Sequence, residues 1–322
     1  MSKISKVKEK SSILPKKIAI IGGTGALGSW FANWFVNQRF TVVIWGRNLQ
    51  KLQKISSDLH IESTNELEKA VKNADYVLVS VPIEITPSLL EQIAPLLKPN
   101  SILFDVTSIK NATLKTLTTI ANKYPKIRVA SIHPMFGPGA VGLKERTIIL
   151  IDPLIGSSSP AGEGAKSAAA ELESLFTRNP HDYPQVVRCD GATHDKTVAL
   201  TLGLSHATNI LFQRILSKSN LKLEDIAKYG GTTFKVQKIL SESVIHEDPN
   251  IYGHIEMDNS EFWKVLDIFI NELQEYAQMI KSRDIQKFEQ VFKQLNQYAA
   301  KDVDYADAYK KMYRMLQSAS EK

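Results

Sequence analysis

The chain is poor in cysteine, in long apolar runs and, beyond its first residues, in net charge. A single cysteine, Cys189, among 322 residues excludes an internal disulfide and a cysteine-rich zinc site, so no metal is expected and the setting implied is reducing and cytoplasmic. Cys189 itself reads as a small buried residue. No stretch approaches the roughly 20 apolar residues that a membrane span needs, and the leader has no apolar core of signal-peptide length. The formal charge is +6, but Lys3, Lys6, Lys8, Lys10, Lys16 and Lys17 against Glu9 put almost all of it in the first 17 residues. The body is nearly neutral, which removes the main support for a nucleic-acid partner. Residues 1–15 read as a disordered basic tail. With 43% hydrophobic and 23% charged residues, the remainder has an ordinary globular composition and length enough for two domains.

What the chain does have is one glycine-dense stretch, Ile18 to Gly28, reading IAIIGGTGALG. Four apolar residues read as a strand buried on both faces, followed by a turn into a helix that carries Trp30, Phe31 and Phe35. Gly23, Gly25 and Gly28 give the G-x-G-x-x-G spacing. In that pattern the first glycine makes the tight turn, the second lets a pyrophosphate approach the backbone, and the third packs helix on strand. With Thr24, Ala26 and Leu27 between them, these residues form a candidate dinucleotide loop, its helix N-terminus facing the phosphates.

A second strand, Thr41 to Trp45, ends at Gly46-Arg47-Asn48, where the ribose of a dinucleotide is met. An acidic residue there would repel a 2′-phosphate, whereas Arg47 suits one, so NADP is expected and NAD is the alternative. Asn65 to Asn73 reads as a short helix and Tyr76 to Val81 as a third strand stopped by Pro82. Val81 and Pro82 are further candidates for the cofactor wall. A helix over Thr86 to Leu97 precedes a strand over Ser101 to Val106, which delivers Asp105, Thr107, Ser108 and Lys110 to its carboxyl end, the edge where open α/β sheets bind ligands. Another helix and a strand over Arg128 to Ile132 lead to His133-Pro134-Met135-Phe136-Gly137-Pro138. A histidine so placed can take a proton near neutral pH. Thr147 to Ile151 and Gln185 to Val187 read as closing strands, with a helix from Pro160 to Phe176 between them.

From about Gly191 the strand-helix alternation stops. A long helix reaches Leu216, with Ala199, Leu202, His206 and Ile210 on one face, and further amphipathic segments follow to the C-terminus. The fold class is therefore α/β: a doubly wound Rossmann domain over 16–189, then an all-α domain over 190–322. So many apolar helices without a sheet imply a bundle that covers the first domain or pairs with a second copy.

The pieces GGTGALG, SVPIEITPSLL, DVTSIKN, ASIHPMFGPG, THDKTVALTLGLSHA and FKVQKILSESVIHEDPNIY, in this order, resemble the prephenate and arogenate dehydrogenase family of tyrosine biosynthesis. Some bacterial relatives carry a fused chorismate mutase domain, for which the tail before Ile18 is too short. The resemblance implies NAD(P)-dependent oxidative decarboxylation of prephenate or arogenate by a homodimer. It implies that His133 is the base for the ring hydroxyl, that Ser108 bonds near it and the nicotinamide, and that His206 lines the substrate pocket. Where the family usually has an arginine for a substrate carboxylate this chain has Lys235, which keeps the charge without the bidentate fork; Lys110 is a second candidate cation for the substrate. Two other readings share the first domain: a β-hydroxyacid or deazaflavin-linked Rossmann reductase, which gives no reason for His133, and a non-catalytic NADP-binding protein.

Overall fold

The computed structural model describes residues 15–154 and 168–320, in two compact units that part after His194. The sequence expectation placed the boundary five residues earlier, at 189/190. The tail expected over 1–15 lies, apart from Pro15, outside the described residues.

The first unit runs β1 Lys17–Ile21, α1 Ala26–Asn37, β2 Thr41–Trp45, α2 Leu49–Leu59, β3 Glu62–Thr64, α3 Leu67–Val71, β4 Tyr76–Val79, α4 Thr86–Ile93, β5 Ile102–Asp105, α5 Asn111–Lys123, β6 Arg128–Pro134, β7 Thr147–Ile151, α6 Ala169–Thr177 and β8 Gln185–Arg188. The strands form one sheet in the order β3-β2-β1-β4-β5-β6-β7-β8. All neighbours are parallel except β6 and β7, which pair antiparallel with Ser131 opposite Ile151. Successive residues of β1 enter opposite layers. Ile18 and Ile20 join Phe31, Phe35 and Phe176 on one face, while Ala19 and Ile21 join Leu90, Leu117 and Ile120 on the other. A strand covered on both faces has no polar side, which is why IAII is uninterrupted.

Two elements were absent from the sequence expectation. The helix α2 buries only Leu52 and the edge strand β3 is the polar tripeptide EST, so neither carries the apolar run by which its neighbours are recognised. Of the helix expected over Pro160 to Phe176, residues 160–167 lie outside the described residues, and the helix seen begins at Ala169.

The second unit is helical. The helix α7 Gly191–Val198, which begins in the first unit, passes through a π-helical segment, Ala199–Leu204, into α8 Ser205–Ser217. Then come α9 Leu223–Lys228, α10 Thr232–His246, α11 Pro249–Met257, α12 Ser260–Ser282, α13 Ile285–Ala299 and α14 Ala308–Ser320. The π segment changes the buried face. The sequence expectation put Ala199, Leu202, His206 and Ile210 together, whereas the buried positions are Ala199, Gly203 and Ala207. Gly203 is pressed on the Phe262 ring so closely that a Cβ would lie 2.4 Å from it. Wide turns of this kind are frequent at functional sites, and this one ends two residues before His206.

Candidate active site

Because β1, β2, β4, β5 and β6 are parallel, the loops after their carboxyl ends share one edge of the sheet. After β1 the chain turns at Gly22, whose φ of +91° is glycine territory and where a Cβ would lie 2.0 Å from the Ser80 carbonyl oxygen. The tight turn thus belongs to Gly22 and not to Gly23, as the spacing implied. At Gly23 a Cβ would strike Ile44, and at Gly28 it would lie 2.3 Å from the Gly22 oxygen, so these two serve close packing of loop and helix on the sheet. Gly25 is exposed and caps α1 with no side-chain hydrogen bond and no acidic residue in the first turn. The first N–H groups of α1, from Ala26 onward, are therefore left for an anion. Leu27 differs in kind: its side chain packs on the core.

In front of this turn lies a cavity of about 320 Å³ whose lining includes Thr24, Gly25, Arg47, Val81 and Pro82, together with Ser88 and Gln92 of α4. Arg47 is exposed, just past the end of β2. Glycines that admit no side chain, an uncapped helix N-terminus and this cavity fit a dinucleotide: backbone N–H groups would hold its pyrophosphate and Arg47 would reach its ribose.

Farther along the same edge, the penultimate residue of β6 is His133, 4% exposed. Its Nδ1 lies 2.9 Å from Nε2 of His194, in the first turn of α7, and His194 is 1% exposed. Burial, the neighbouring His194 and the Lys110 charge hold His133 well below the ordinary histidine pKa, so the ring is neutral at physiological pH. Its Nε2 has no hydrogen-bond partner among the described residues. The partnership with His194 was missed: the two residues are 61 apart in sequence, and the His194-Asp195 pair ahead of a helix was the sole signal. The loop after His133 is fixed at two points. The Trp30 indole N–H of α1 donates to the Ala140 carbonyl at 2.6 Å, and the Asp182 carboxylate accepts from the backbone of Leu143 and Lys144 at 2.6 and 2.9 Å.

Lys110 is corrected by the structure. Expected as a cation facing the substrate, it is fully buried, and its Nζ donates to Asp105 Oδ1 at 3.1 Å, Thr107 Oγ1 at 3.4 Å and the Ile132 carbonyl at 2.8 Å. A lysine with no exposed surface must be paired. This one ties the end of β5 to the residue before His133, and its charge acts on His133 from within the wall. Ser108 is half-buried in the loop after β5.

In the helical unit, the His206 ring meets Tyr252 edge to face at 4.5 Å. Its Nδ1 is buried with no hydrogen-bond partner, and burial lowers its pKa to about 4. Lys235 is exposed in the first turn of α10. That helix lies along α8, joined by Gln237 to Asn209 and Gln213 to Ser241, both at 2.8 Å. Ile239 and Leu240 of α10 are 49% and 42% exposed.

The family description "prephenate dehydrogenase, nucleotide-binding domain" matches residues 31–152, and "prephenate dehydrogenase, dimerization domain" matches 190–294. The chain belongs to the prephenate dehydrogenase family. It is 27% identical over 277 residues to a probable arogenate/prephenate dehydrogenase of Methanocaldococcus jannaschii, covering 86% of this chain and 59% of that protein. The chain thus spans less than two thirds of the length of that relative. With the Haemophilus influenzae T-protein it shares 24% over 300 residues, 93% of this chain and 71% of that one. Its fold matches that of A. aeolicus prephenate dehydrogenase, solved with hydroxyphenyl propionate and NAD+, at a TM-score of 0.68 and 18% identity over 90% of this chain and 99% of that one. As a prephenate dehydrogenase family member the chain carries Ser108, Lys110 and His133 inside the first matched segment and His194, His206 and Lys235 inside the second, whereas the glycine turn precedes both.

Proposed function

We propose that the protein is a dehydrogenase that oxidatively decarboxylates prephenate or arogenate, giving 4-hydroxyphenylpyruvate or tyrosine, with NADP as the preferred acceptor. The observation that carries this reading is His133: a neutral imidazole whose Nδ1 is held by His194 and whose Nε2 has no hydrogen-bond partner among the described residues, on the sheet edge that also bears the candidate dinucleotide cavity. A non-catalytic binding protein has no use for a base held neutral there. When bound, the nicotinamide supplies the hydride acceptor. Formation of an aromatic ring drives the reaction, so the side chains mainly orient the substrate and accept one hydroxyl proton. In this reading His133 takes that proton, Ser108 hydrogen-bonds beside it, His206 lines the substrate pocket and Lys235 pairs with a carboxylate. Arg47, with no acidic residue in Gly46-Arg47-Asn48, supports NADP through a charge-assisted contact to the 2′-phosphate.

The test is a steady-state assay of the purified protein with prephenate and arogenate crossed with NAD and NADP. Turnover of either substrate with a preference for NADP is expected. In the same assay Arg47→Ala should weaken NADP roughly ten-fold, the equivalent of about 1.4 kcal/mol, and leave NAD nearly unchanged. No cofactor reduction with either substrate overturns the activity, and a wild-type preference for NAD overturns the cofactor assignment.

A further inference from the structure

A neutral imidazole has one N–H, so the 2.9 Å contact between His133 Nδ1 and His194 Nε2 holds a single proton and can be made in two ways. If His194 donates, His133 carries its own proton on Nε2 and has no lone pair to offer there. If His133 donates, Nε2 is the bare nitrogen, and Nε2 is the ring atom with no hydrogen-bond partner among the described residues. We propose that His194 is the positioning residue of the proton-transfer step: its Nε2 accepts from His133 Nδ1–H and so fixes His133 in the tautomer whose Nε2 takes the substrate's hydroxyl proton.

The base role rests on the proposed function; the tautomer does not. In the step itself His133 Nε2 takes the hydroxyl proton and the O–H bonding pair closes a carbonyl; the hydride from the same carbon is what a bound nicotinamide would accept. The carboxylate bond then breaks, its pair enters the ring, and the resulting phenolate recovers the proton from His133 Nε2. Throughout, Nδ1 keeps donating to His194, in the neutral ring and in the imidazolium alike, so one contact orients the ring in both states. The titratable and charged groups facing His133 are His194 from α7 and Lys110 from the loop after β5, the latter tied to Asp105. The Lys110 ammonium donates to the Ile132 carbonyl and has no lone pair to accept with, so the imidazole of His194 is the acceptor available to Nδ1.

The experiment is performed on the full chain with two variants. Nitrogen-15 spectra of the histidine rings, recorded without substrate, should show His133 protonated at Nδ1 and bare at Nε2 in the wild type. His194→Leu, which removes the acceptor, should abolish that preference and lower kcat about 10²-fold, the low end for loss of a general base. His194→Gln, whose Oε1 can accept, should restore the tautomer and at least ten-fold of the lost rate. Should the leucine variant not fold, the wild-type spectrum and the glutamine variant decide alone. A wild-type His133 protonated at Nε2 overturns the proposal, as does His194→Leu turning over within two-fold of wild type. A wild type inactive on both substrates removes the proposed function, while the ring spectrum still decides the tautomer.

Discussion

In the role proposed for it, His133 is fitted to act as a base by its surroundings more than by its own chemistry. Removal from water disfavours the imidazolium, and His194 and Lys110 add to that cost. With the folded pKa depressed, the ring binds its proton only in acid, so activity should persist unchanged through pH 6.5 and fall on a limb that lies well below it. His133→Asn should lower kcat by about 10²–10⁴-fold with little change in KM, read from pH-resolved steady-state rates. Near-normal turnover, or a limb at or above 6.5, would remove His133 from the role. At this scale the sequence discloses groups and withholds partners. His133 is legible because an apolar strand runs straight into it. Whether Lys110 faces the pocket or the wall depends on Asp105, Thr107 and the Ile132 carbonyl, and no spacing encodes that convergence.

Elements are legible in proportion to the apolar surface they hide. The strands β1, β2, β4 and β5 announce themselves by apolar runs covered on both faces, whereas α2 with one buried residue and the polar edge strand β3 do not. The π segment is equally silent, since Ala199, Leu202 and His206 keep helical spacing and only the fit of Gly203 on Phe262 shows that the helix has re-registered. A polar knot at the sheet end opposite the candidate site was also unreadable. Glu171 of α6 accepts from Tyr76 of β4, from Lys16 just before β1, and from Arg128 of β6. Burial alone would raise its pKa, but those hydrogen bonds outweigh it and hold the carboxyl at about 2. A carboxyl depressed on folding stabilises fully above its unfolded value near 4.5 and loses that contribution as pH falls toward 2. Wild type should therefore lose thermal stability between pH 4.5 and 2, and Glu171→Gln should lower Tm at pH 7 while flattening the acid decline. Parallel Tm-versus-pH curves for the two proteins would show that Glu171 holds nothing together.

At the scale of the whole molecule, the helical unit leaves uncovered what a chain of this length would ordinarily bury. Leu273, Tyr276 and Ile280 lie three and four residues apart on α12, and Phe292 and Leu295 three apart on α13, all about half exposed or more, Phe292 at 64%. Side chains at that spacing share one face of their helix. An apolar stripe facing water costs roughly 25 cal/mol per Å² relative to a covered one, and contiguous stripes of this size mark association surfaces. All of these residues but Leu295, the next position after its end, fall within 190–294, the segment matched by the family's dimerization domain. We therefore expect a homodimer whose interface includes α12 and α13 and reaches the standard size of about 1,600 Å². Sedimentation at micromolar concentration should give twice the 36.0 kDa chain mass. Phe292→Asp combined with Leu295→Asp should weaken association at least ten-fold by placing two carboxylates where apolar surface is to be buried. Cofactor affinity should stay as it was, since the glycine turn and Arg47 belong to the other unit. A wild-type monomer would refute the expectation, and a dimer indifferent to both substitutions would move the interface off the α13 face.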